Sequence, residues 1–146
     1  MKNGFVMQRR AEFMDTDMAG IVHFTAYFRY METAEHELFR TLGLAAATQD
    51  DEHRLGWPRV SCGFDFKETL RFQDAFEVRL GVTNLSKRSI TFAAEIVRDG
   101  IILARGHSTS VCCEIGTGHQ MRAVDVPSDV IEKLKPYLVS AIERNG

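Results

Sequence analysis

The chain has 146 residues, of which 45% are hydrophobic and 26% charged, and its formal net charge is −2. These values predict a single globular domain over residues 1–146, with no basic field for nucleic acid or a membrane surface. No apolar run approaches the ~18 residues of a membrane-spanning helix, and the first residues lack the apolar core of a signal peptide. The three cysteines show neither zinc nor disulfide spacing, so we expect a cytoplasmic protein without a metal.

One amphipathic helix is the clearest element of the first third of the chain. Over residues 25–42, apolar side chains recur at spacings of three and four, which is typical of one helix face. These residues are Tyr27, Tyr30, Met31, Ala34, Leu38 and Leu42. Thr25 is the expected N-cap and Gly43 the expected stop. We expect a strand before this helix, over residues 5–14, and an irregular segment or short second helix after it, over residues 45–57.

After Pro58 the apolar period changes from 3.6 to 2, which predicts antiparallel strands joined by short turns. The expected strands span residues 64–72, 76–82, 90–96, 101–115 and 120–124, with a terminal helix over residues 128–139. Arg98-Asp99-Gly100 is a hairpin signal between two of them. One strand, one long helix and four or five antiparallel strands predict a two-layer α+β domain. Its open sheet face and edge strands need cover, so we expect a dimer.

The run DTDMAGIVHF, residues 15–24, is the most informative part of the sequence. It places Asp15 and Asp17 just before a glycine and the start of the helix. One carboxylate can cap a turn through the backbone, which leaves the other to face a ligand. Asp-rich turns that only cap are common, so the residues alone leave a structural and a catalytic interpretation open.

A resemblance favours the catalytic interpretation. The run MQRRAEFMDTDMAGIVHFTAYFRYMETAEHELFRTLGL, residues 7–44, resembles the start of the 4-hydroxybenzoyl-CoA thioesterase family of hotdog-fold proteins. In that family a strand ends in Asp-x-Asp-x-x-Gly-x-Val and leads into the central helix. The resemblance continues through PRVSC at residues 58–62 and RAVDVP at residues 122–127, so it covers nearly the whole chain. It implies an antiparallel sheet of five or six strands wrapped around one long central helix.

The resemblance implies that Asp17 is the catalytic carboxylate in the hydrolysis of an acyl-CoA thioester. A carboxylate either attacks the thioester carbonyl to form an anhydride or activates water as a general base, and both routes remain open. The backbone N–H of Phe24, at the helix start, is expected to stabilise the tetrahedral oxyanion, with Thr25 beside the substrate. Gly20 allows the tight turn. Coenzyme A is part of the substrate, so no cofactor is expected.

His23 departs from a common form of the family, which has Tyr-His where this chain has His23-Phe24. A catalytic role for His23 is therefore left open against that of a polar residue lining the groove. One branch of hotdog thioesterases uses a helix glutamate as its catalytic acid. Because the Asp motif is intact here, we expect Glu32 and Glu35 to be solvated or to make structural hydrogen bonds.

Lys87 and Arg88 lie between two expected strands. They are either a solvated turn or, as the resemblance implies, the residues that hold the nucleotide phosphates of coenzyme A. Phosphates favour lysine and arginine donors, which supports the second interpretation. Arg59 and Arg122 are weaker candidates for the same role.

Three functions remain open at this point: an acyl-CoA thioesterase, an acyl-carrier-protein thioesterase, and a hotdog protein that binds acyl thioesters without cleaving them. The intact Asp17 favours a hydrolase over the third. The expected partner is a small-molecule acyl-CoA, and the resemblance implies a homodimer or homotetramer. The identity of the acyl group is not encoded in any motif of the sequence.

Overall fold

The computed structural model describes residues 1–44, 54–116, 118 and 120–140. Within them, α1 spans Phe24–Thr41 and α2 spans Ser128–Leu134. The strands are β1 (Phe5–Arg10), β2 (Arg54–Gly56), β3 (Arg59–Phe66), β4 (Ala75–Leu85), β5 (Ser89–Arg98), β6 (Ile101–Val111), β7 (Cys113–Ile115) and β8 (Met121–Ala123).

The strands form one large and one small antiparallel sheet. The large sheet has the order β1-β4-β5-β6-β3, and the small sheet has the order β2-β7-β8. α1 packs on one face of the large sheet, where Tyr30 and Leu38 share a buried cluster with Leu80 and Ile96. The expected α+β hotdog architecture, with five strands around one long helix, is confirmed.

The central helix lies one residue earlier than expected, and the prediction of its N-cap is wrong. His23, not Thr25, is the N-cap: its Nδ1 accepts the Thr25 N–H at 3.3 Å and lies 2.7 Å from the Thr25 hydroxyl. Gly43 follows the helix with a φ of 71°, a conformation that suits glycine at a helix stop. Neither helix in the described part of the chain is long and apolar enough to span a bilayer.

Two predicted strands have different bounds in the structure. The strand expected over residues 5–14 ends at Arg10, because a capping box between Glu12 and Asp15 starts a 3-10 turn over Phe13–Asp15. The strand expected over residues 64–72 is β3, which begins and ends earlier. Residues 67–72 leave the ladder, where the N–H groups of Lys67 and Glu68 both donate to a single carbonyl.

The remaining differences lie near the C-terminal part of the chain. The run over residues 101–115 divides into β6 and β7 at Cys112, whose N–H donates to the Arg88 carbonyl at 2.8 Å. The terminal helix stops at Leu134, and a 3-10 turn containing Pro136 follows it. Of the irregular segment expected over residues 45–57, residues 45–53 lie outside the described part, and Arg54–Gly56 is β2.

Two features lie at the ends of the central strands: a hairpin turn and a bridge to the C-terminal segment. Asp99 and Gly100 have φ values of 52° and 77°, as in the type I′ turn that the hairpin signal predicts. The pairing of β1 with β4 ends at Leu80. Beyond that point, Leu138 forms a parallel bridge to Val82, and the Val139 N–H donates to the Val82 carbonyl at 2.9 Å.

Candidate active site

Asp17 lies in a tight hairpin that carries the chain from β1 to the start of α1. An antiparallel bridge between Thr16 and Val22 closes this hairpin. Gly20, at its tip, has a φ of 78°, which glycine adopts without strain. The half-buried carboxylate of Asp17 accepts the Ala19 N–H on Oδ1 at 2.8 Å. Its Oδ2 has no hydrogen-bond partner among the described residues, so this oxygen is available to a ligand.

Asp15, two residues earlier, is buried and fully bonded. Its Oδ2 accepts the Glu12 N–H at 2.9 Å and the Tyr30 hydroxyl at 2.7 Å, while Oδ1 accepts from Arg29 at 3.0 Å. Burial alone would raise the pKa of Asp15, but these three donors outweigh it and lower that pKa. Burial and the bond to Asp15 raise the pKa of the Tyr30 hydroxyl, which therefore remains a donor. Asp15 is the structural carboxylate of the motif.

The start of α1 is bonded directly to this hairpin. The His23 N–H donates to the Asp15 backbone carbonyl at 2.8 Å, and the Ala26 N–H donates to the His23 carbonyl at 2.9 Å. The Thr25 N–H reaches the His23 ring at 3.3 Å. The Phe24 N–H has no acceptor among the described residues. It is an unpaired donor at the positive end of the helix dipole, which suits an anionic oxygen.

A neighbouring segment fixes the hairpin from the other side. The Val22 N–H donates to the Leu70 carbonyl at 2.8 Å, and Ile21 forms a bridge with Arg71. The Leu70 N–H donates to the Tyr27 hydroxyl of α1 at 3.3 Å. The backbone around Asp17 is therefore held by the sheet side and by the helix, which keeps the carboxylate in one place.

Exposed apolar side chains surround the hairpin. Phe13 and Phe72 meet edge to face, with ring centroids 5.9 Å apart. Met14, Met18 and Phe24, in or next to the hairpin in sequence, are also exposed. A cluster of this kind marks a surface that contacts another molecule, because a monomer rarely leaves so many large apolar groups together in water.

Lys87 and Arg88 are not brought to Asp17 within one protomer. They form an exposed turn between β4 and β5, where Asp125 lies 3.2 Å from Arg88 and 4.0 Å from Lys87. The hairpin lies at the opposite end of β4, since Ala11 bonds to the residue before that strand. Eleven residues of β4 separate these ends, a length of about 35 Å at roughly 3.3 Å per residue.

Arg59 also lies away from Asp17 and is paired with both helix acids. It lies 2.6 Å from Glu35 and 3.0 Å from Glu32, and it donates to the Ser108 hydroxyl at 2.6 Å. Burial raises the pKa of Glu35 to about 7, although Arg59 and Ser108 act to lower it. Glu35 is thus buried and held by Arg59, whereas Glu32 is exposed. Arg122, the other weak candidate, pairs with Glu114 at 3.1 Å.

Three residues that hold the acids or the basic pair in place were not predicted from the sequence: Tyr30, Arg29 and Asp125. Tyr30 was assigned to the apolar helix face for its ring, although a buried tyrosine hydroxyl usually has a partner, and that signal pointed to a nearby acceptor. Arg29 gave no such signal. Asp125 gave none either, because 37 residues separate it from Arg88. No group of three or more metal-ligating residues lies together within the described ranges.

Comparison with known proteins assigns this fold to the hotdog thioester hydrolases. The sequence profile of the thioesterase-like superfamily matches residues 11–134, so the chain belongs to that superfamily. A putative esterase from Aquifex aeolicus is 32% identical over 131 residues, covering 90% of this chain and 98% of that one. The expected activity, hydrolysis of a thioester, is confirmed by this membership and by the named thioesterases among the relatives.

Two further relatives bear the name of the family that the sequence resembles. The 4-hydroxybenzoyl-CoA thioesterase of a Pseudomonas species is 30% identical over 139 residues, covering 90% of this chain and 98% of that one. A crystal structure of an Asp-to-Asn mutant of a 4-hydroxybenzoyl-CoA thioesterase, complexed with 4-hydroxybenzoyl-CoA, aligns with a TM-score of 0.78. It is 25% identical and covers 90% of this chain and 99% of that one. The resemblance stated from the sequence is confirmed.

Proposed function

We propose that this protein is an acyl-CoA thioesterase with Asp17 as its catalytic carboxylate. The observation that carries the proposal is the unpaired Oδ2 of Asp17, in a fixed hairpin that leads directly to the unpaired Phe24 N–H. Relatives named for acyl-CoA substrates support coenzyme A as the thiol. The structure that contains 4-hydroxybenzoyl-CoA in an Asp-to-Asn mutant supports an aspartate as the reacting group.

The proposed reaction consumes one water and one thioester and yields a carboxylic acid and the free thiol of coenzyme A. In one route, Asp17 attacks the carbonyl carbon, the C–S bond breaks, and water then hydrolyses the mixed anhydride. In the other, Asp17 takes a proton from water as the water oxygen attacks the same carbon, the C–S bond breaks, and the proton passes from Asp17 to the leaving thiolate. Neither route needs a metal or a redox cofactor.

The residues around Asp17 have separate proposed roles. The Phe24 N–H binds the oxygen that becomes negative when the carbonyl carbon turns tetrahedral. His23 fixes the direction of that N–H by capping the helix, so its role is positioning. Gly20 sets the turn, and Thr25, whose hydroxyl is held by His23, lies at the mouth of the site. We expect no proton transfer through His23.

Asp17→Asn tests the assignment, because the amide keeps the size of the side chain but neither attacks nor accepts a proton. We expect kcat to fall by about 10²- to 10⁴-fold on an acyl-CoA panel from acetyl to palmitoyl that includes benzoyl, hydroxybenzoyl and phenylacetyl. Thiol release measures the rate. Asp99→Asn, in an exposed turn where asparagine is also favoured, is the matched control. Equal turnover of wild type and Asp17→Asn would refute the role of Asp17.

The same panel on carrier-protein thioesters separates the remaining alternatives. Faster hydrolysis of the carrier-protein form of one acyl group would show that the natural substrate is a carrier-protein thioester and not a coenzyme A thioester. Binding of both forms without hydrolysis would favour a protein that binds acyl thioesters and does not cleave them. We expect the coenzyme A forms to be hydrolysed faster.

We further propose that the working form is a homodimer or homotetramer and that the phosphates of coenzyme A bind Lys87 and Arg88 of a different protomer. The length of β4 between this turn and the hairpin, about 35 Å at roughly 3.3 Å per residue, is longer than the pantetheine arm that joins the thioester to the phosphates. β3 is an edge strand with exposed Val60 and Phe66, which supports pairing through that edge. A twofold axis there would reverse the partner and bring its basic end toward Asp17.

Val60→Glu tests this pairing. A charge at the edge of β3 should repel its symmetry mate, so we expect a lower mass in sedimentation and a matching loss of turnover. Val6→Glu, the same change at an exposed valine of β1 on the opposite edge of the sheet, is the control for added charge. A dimeric Val60→Glu variant with full activity would rule out the β3 edge. We also propose a cytoplasmic location, which the free thiols of Cys62, Cys112 and Cys113 support.

A further inference from the structure

A cavity lies between α1 and the large sheet, away from Asp17. Its volume is about 320 Å³. Glu35 of α1 lines it and is eleven residues from Phe24, which is about 16 Å along the helix axis at roughly 1.5 Å per residue. Within one protomer the cavity is therefore separate from the hairpin and needs its own account.

One side of the cavity is aromatic. Phe39, Trp57 and Phe92 line it, with the Phe39 ring 6.0 Å from that of Trp57 and 6.5 Å from that of Phe92. Aromatic faces carry partial negative charge, so they attract a cation placed over them as well as packing against apolar groups. The wall suits a ligand that is partly apolar and either neutral or cationic.

The other side carries more negative than positive charge. It is lined by Glu32, Glu35, His36, Arg59 and Ser110. Arg59 is bonded to Glu32, Glu35 and the neighbouring Ser108, so its charge is already paired. When Glu35 is ionised, the two carboxylates and the one guanidinium have a net charge of −1. An anionic ligand is repelled by this balance, whereas a cation is attracted.

Glu35, which lines the cavity, has a carboxylate oxygen that accepts no hydrogen bond. The residue is 7% exposed, and its Oε2 is held by Arg59, but Oε1 is buried without a hydrogen-bond partner. A buried carboxylate oxygen without a donor is unfavourable, and the mechanism proposed for Asp17 does not use it. Rotation about the last torsion of Glu35, which is soft, would turn Oε1 toward a donor in the cavity.

We propose that this cavity binds a protonated amine, with the ammonium group donating to Glu35 and the apolar part of the ligand packed on Phe39, Trp57 and Phe92. The amine supplies the donor that Oε1 lacks and neutralises the surplus negative charge. Glu32, on the exposed rim of the cavity, is the second acceptor within reach. Arg59 keeps both carboxylates in place. The binding claim is independent of the activity assigned to Asp17.

Trp57 makes the proposal directly measurable, because it is the single tryptophan of the chain and it lines the cavity. Tryptophan fluorescence is followed while benzylamine, benzyl alcohol or benzoate is added at pH 8. These three probes share a ring and are cationic, neutral and anionic. We expect saturable binding of benzylamine, at least tenfold weaker binding of benzyl alcohol, and no binding of benzoate.

Glu35→Gln keeps the size of the side chain and removes its charge, so we expect it to weaken benzylamine binding at least tenfold. Glu37→Gln is the matched control: it is on the same helix, is paired with Arg40, and does not line the cavity. Equal affinity of Glu35→Gln and wild type, or benzyl alcohol or benzoate binding as tightly as benzylamine, overturns the proposal. If Glu35→Gln does not fold, the three probes on the wild type decide.

Kinetics distinguish two sources of the amine, and this part alone depends on the proposed thioesterase activity. An acyl-CoA that ends in an amine is compared with the same acyl-CoA ending in a hydroxyl. A KM at least tenfold lower for the amine, with competition by benzylamine, identifies the acyl group as the source. Fluorescence binding without competition identifies a free amine. The fluorescence titration needs no turnover, so failure of the thioesterase assignment and failure of the amine site are separate results.

Discussion

At its N-terminal end α1 packs against Asp15, whose carboxylate accepts three hydrogen bonds, whereas farther along it carries Glu35, which is bonded on one oxygen only. Burial raises the pKa of both acids. Three donors reverse that effect at Asp15, so its pKa falls, but Arg59 and Ser108 do not reverse it at Glu35, whose pKa is about 7. Donors on both oxygens therefore hold Asp15 ionised as a structural acid, whereas Glu35 keeps one oxygen without a donor and can still bind a ligand.

Asp15 and Asp17 show the same distinction over two residues. Asp15 uses both oxygens to join the hairpin to α1, whereas Asp17 uses one and keeps Oδ2 free. The fully bonded acid holds in place the one that is proposed to react. Mutations at these acids test whether the number of bonds predicts the role.

The largest effect on stability is expected for Asp15→Ala. Removing this carboxylate leaves the Tyr30 hydroxyl and the Glu12 N–H unpaired and the Arg29 charge without its partner. We expect a loss of about 4 kcal/mol in the free energy of unfolding, measured by urea denaturation at pH 7. The native stabilisation is present above the unfolded pKa of Asp15 and is lost as pH falls through the lower folded value.

Asp129→Ala, in the exposed first turn of α2, is the control for Asp15→Ala and should lose far less stability. A loss of unfolding free energy below about 1 kcal/mol for Asp15→Ala would contradict the structural role of Asp15, because a single exposed ion pair contributes that much. Its three hydrogen bonds would then contribute little.

A smaller effect, with the opposite dependence on pH, is expected for Glu35→Gln. The folded pKa of about 7 exceeds the ordinary value of 4.5, so ionisation of Glu35 opposes folding as pH rises between them. Between pH 5 and pH 8, the wild type should lose about 2.5 kcal/mol of stability that Glu35→Gln does not lose. Denaturation of both proteins at the two pH values measures this difference. Parallel behaviour of the two would show that Glu35 ionises normally.

The smallest effect is expected for Asp125→Asn, which extends the comparison to an exposed acid. Asp125 occupies the donors of Lys87 and Arg88 that are proposed to bind phosphate. Removing its charge should tighten coenzyme A binding by about threefold, since exposed ion pairs contribute little. Calorimetry at low salt measures the affinity, with Asp99→Asn as the control. Weaker binding would show that Asp125 positions the basic pair instead of competing with phosphate.

The elements that the sequence predicts well are those with a local pattern. The apolar spacing of α1 located the helix to within one residue, and Asp99-Gly100 marked a real hairpin. The N-cap was wrong because a histidine ring and a threonine hydroxyl both accept hydrogen bonds, and only the observed backbone angles show which residue caps. The start of β3 was missed because residues 59–63 include Arg59 and Gly63, which break the alternation of apolar and polar side chains.

For the candidate site, the position of Asp17 followed from a motif, but its surroundings did not. The donors of Asp15 come from 14 and 15 residues away on the helix, and Arg59 reaches Glu32 from 27 residues away. Contacts of this kind depend on how α1 lies on the sheet. No periodicity in the sequence encodes them, so the burial of Glu35 and the cavity beside it could be found only in the structure.

The bridge between Leu138 and Val82 covers part of an exposed strand edge and so protects the protein from aggregation. β1 is shorter than β4, so the edge of β4 beyond Leu80 would present backbone donors and acceptors to solvent. Such an edge is a template on which another chain can add a strand. The segment at residues 138–139 occupies part of that template. A chain truncated before Leu138 is therefore expected to aggregate on storage before its turnover changes.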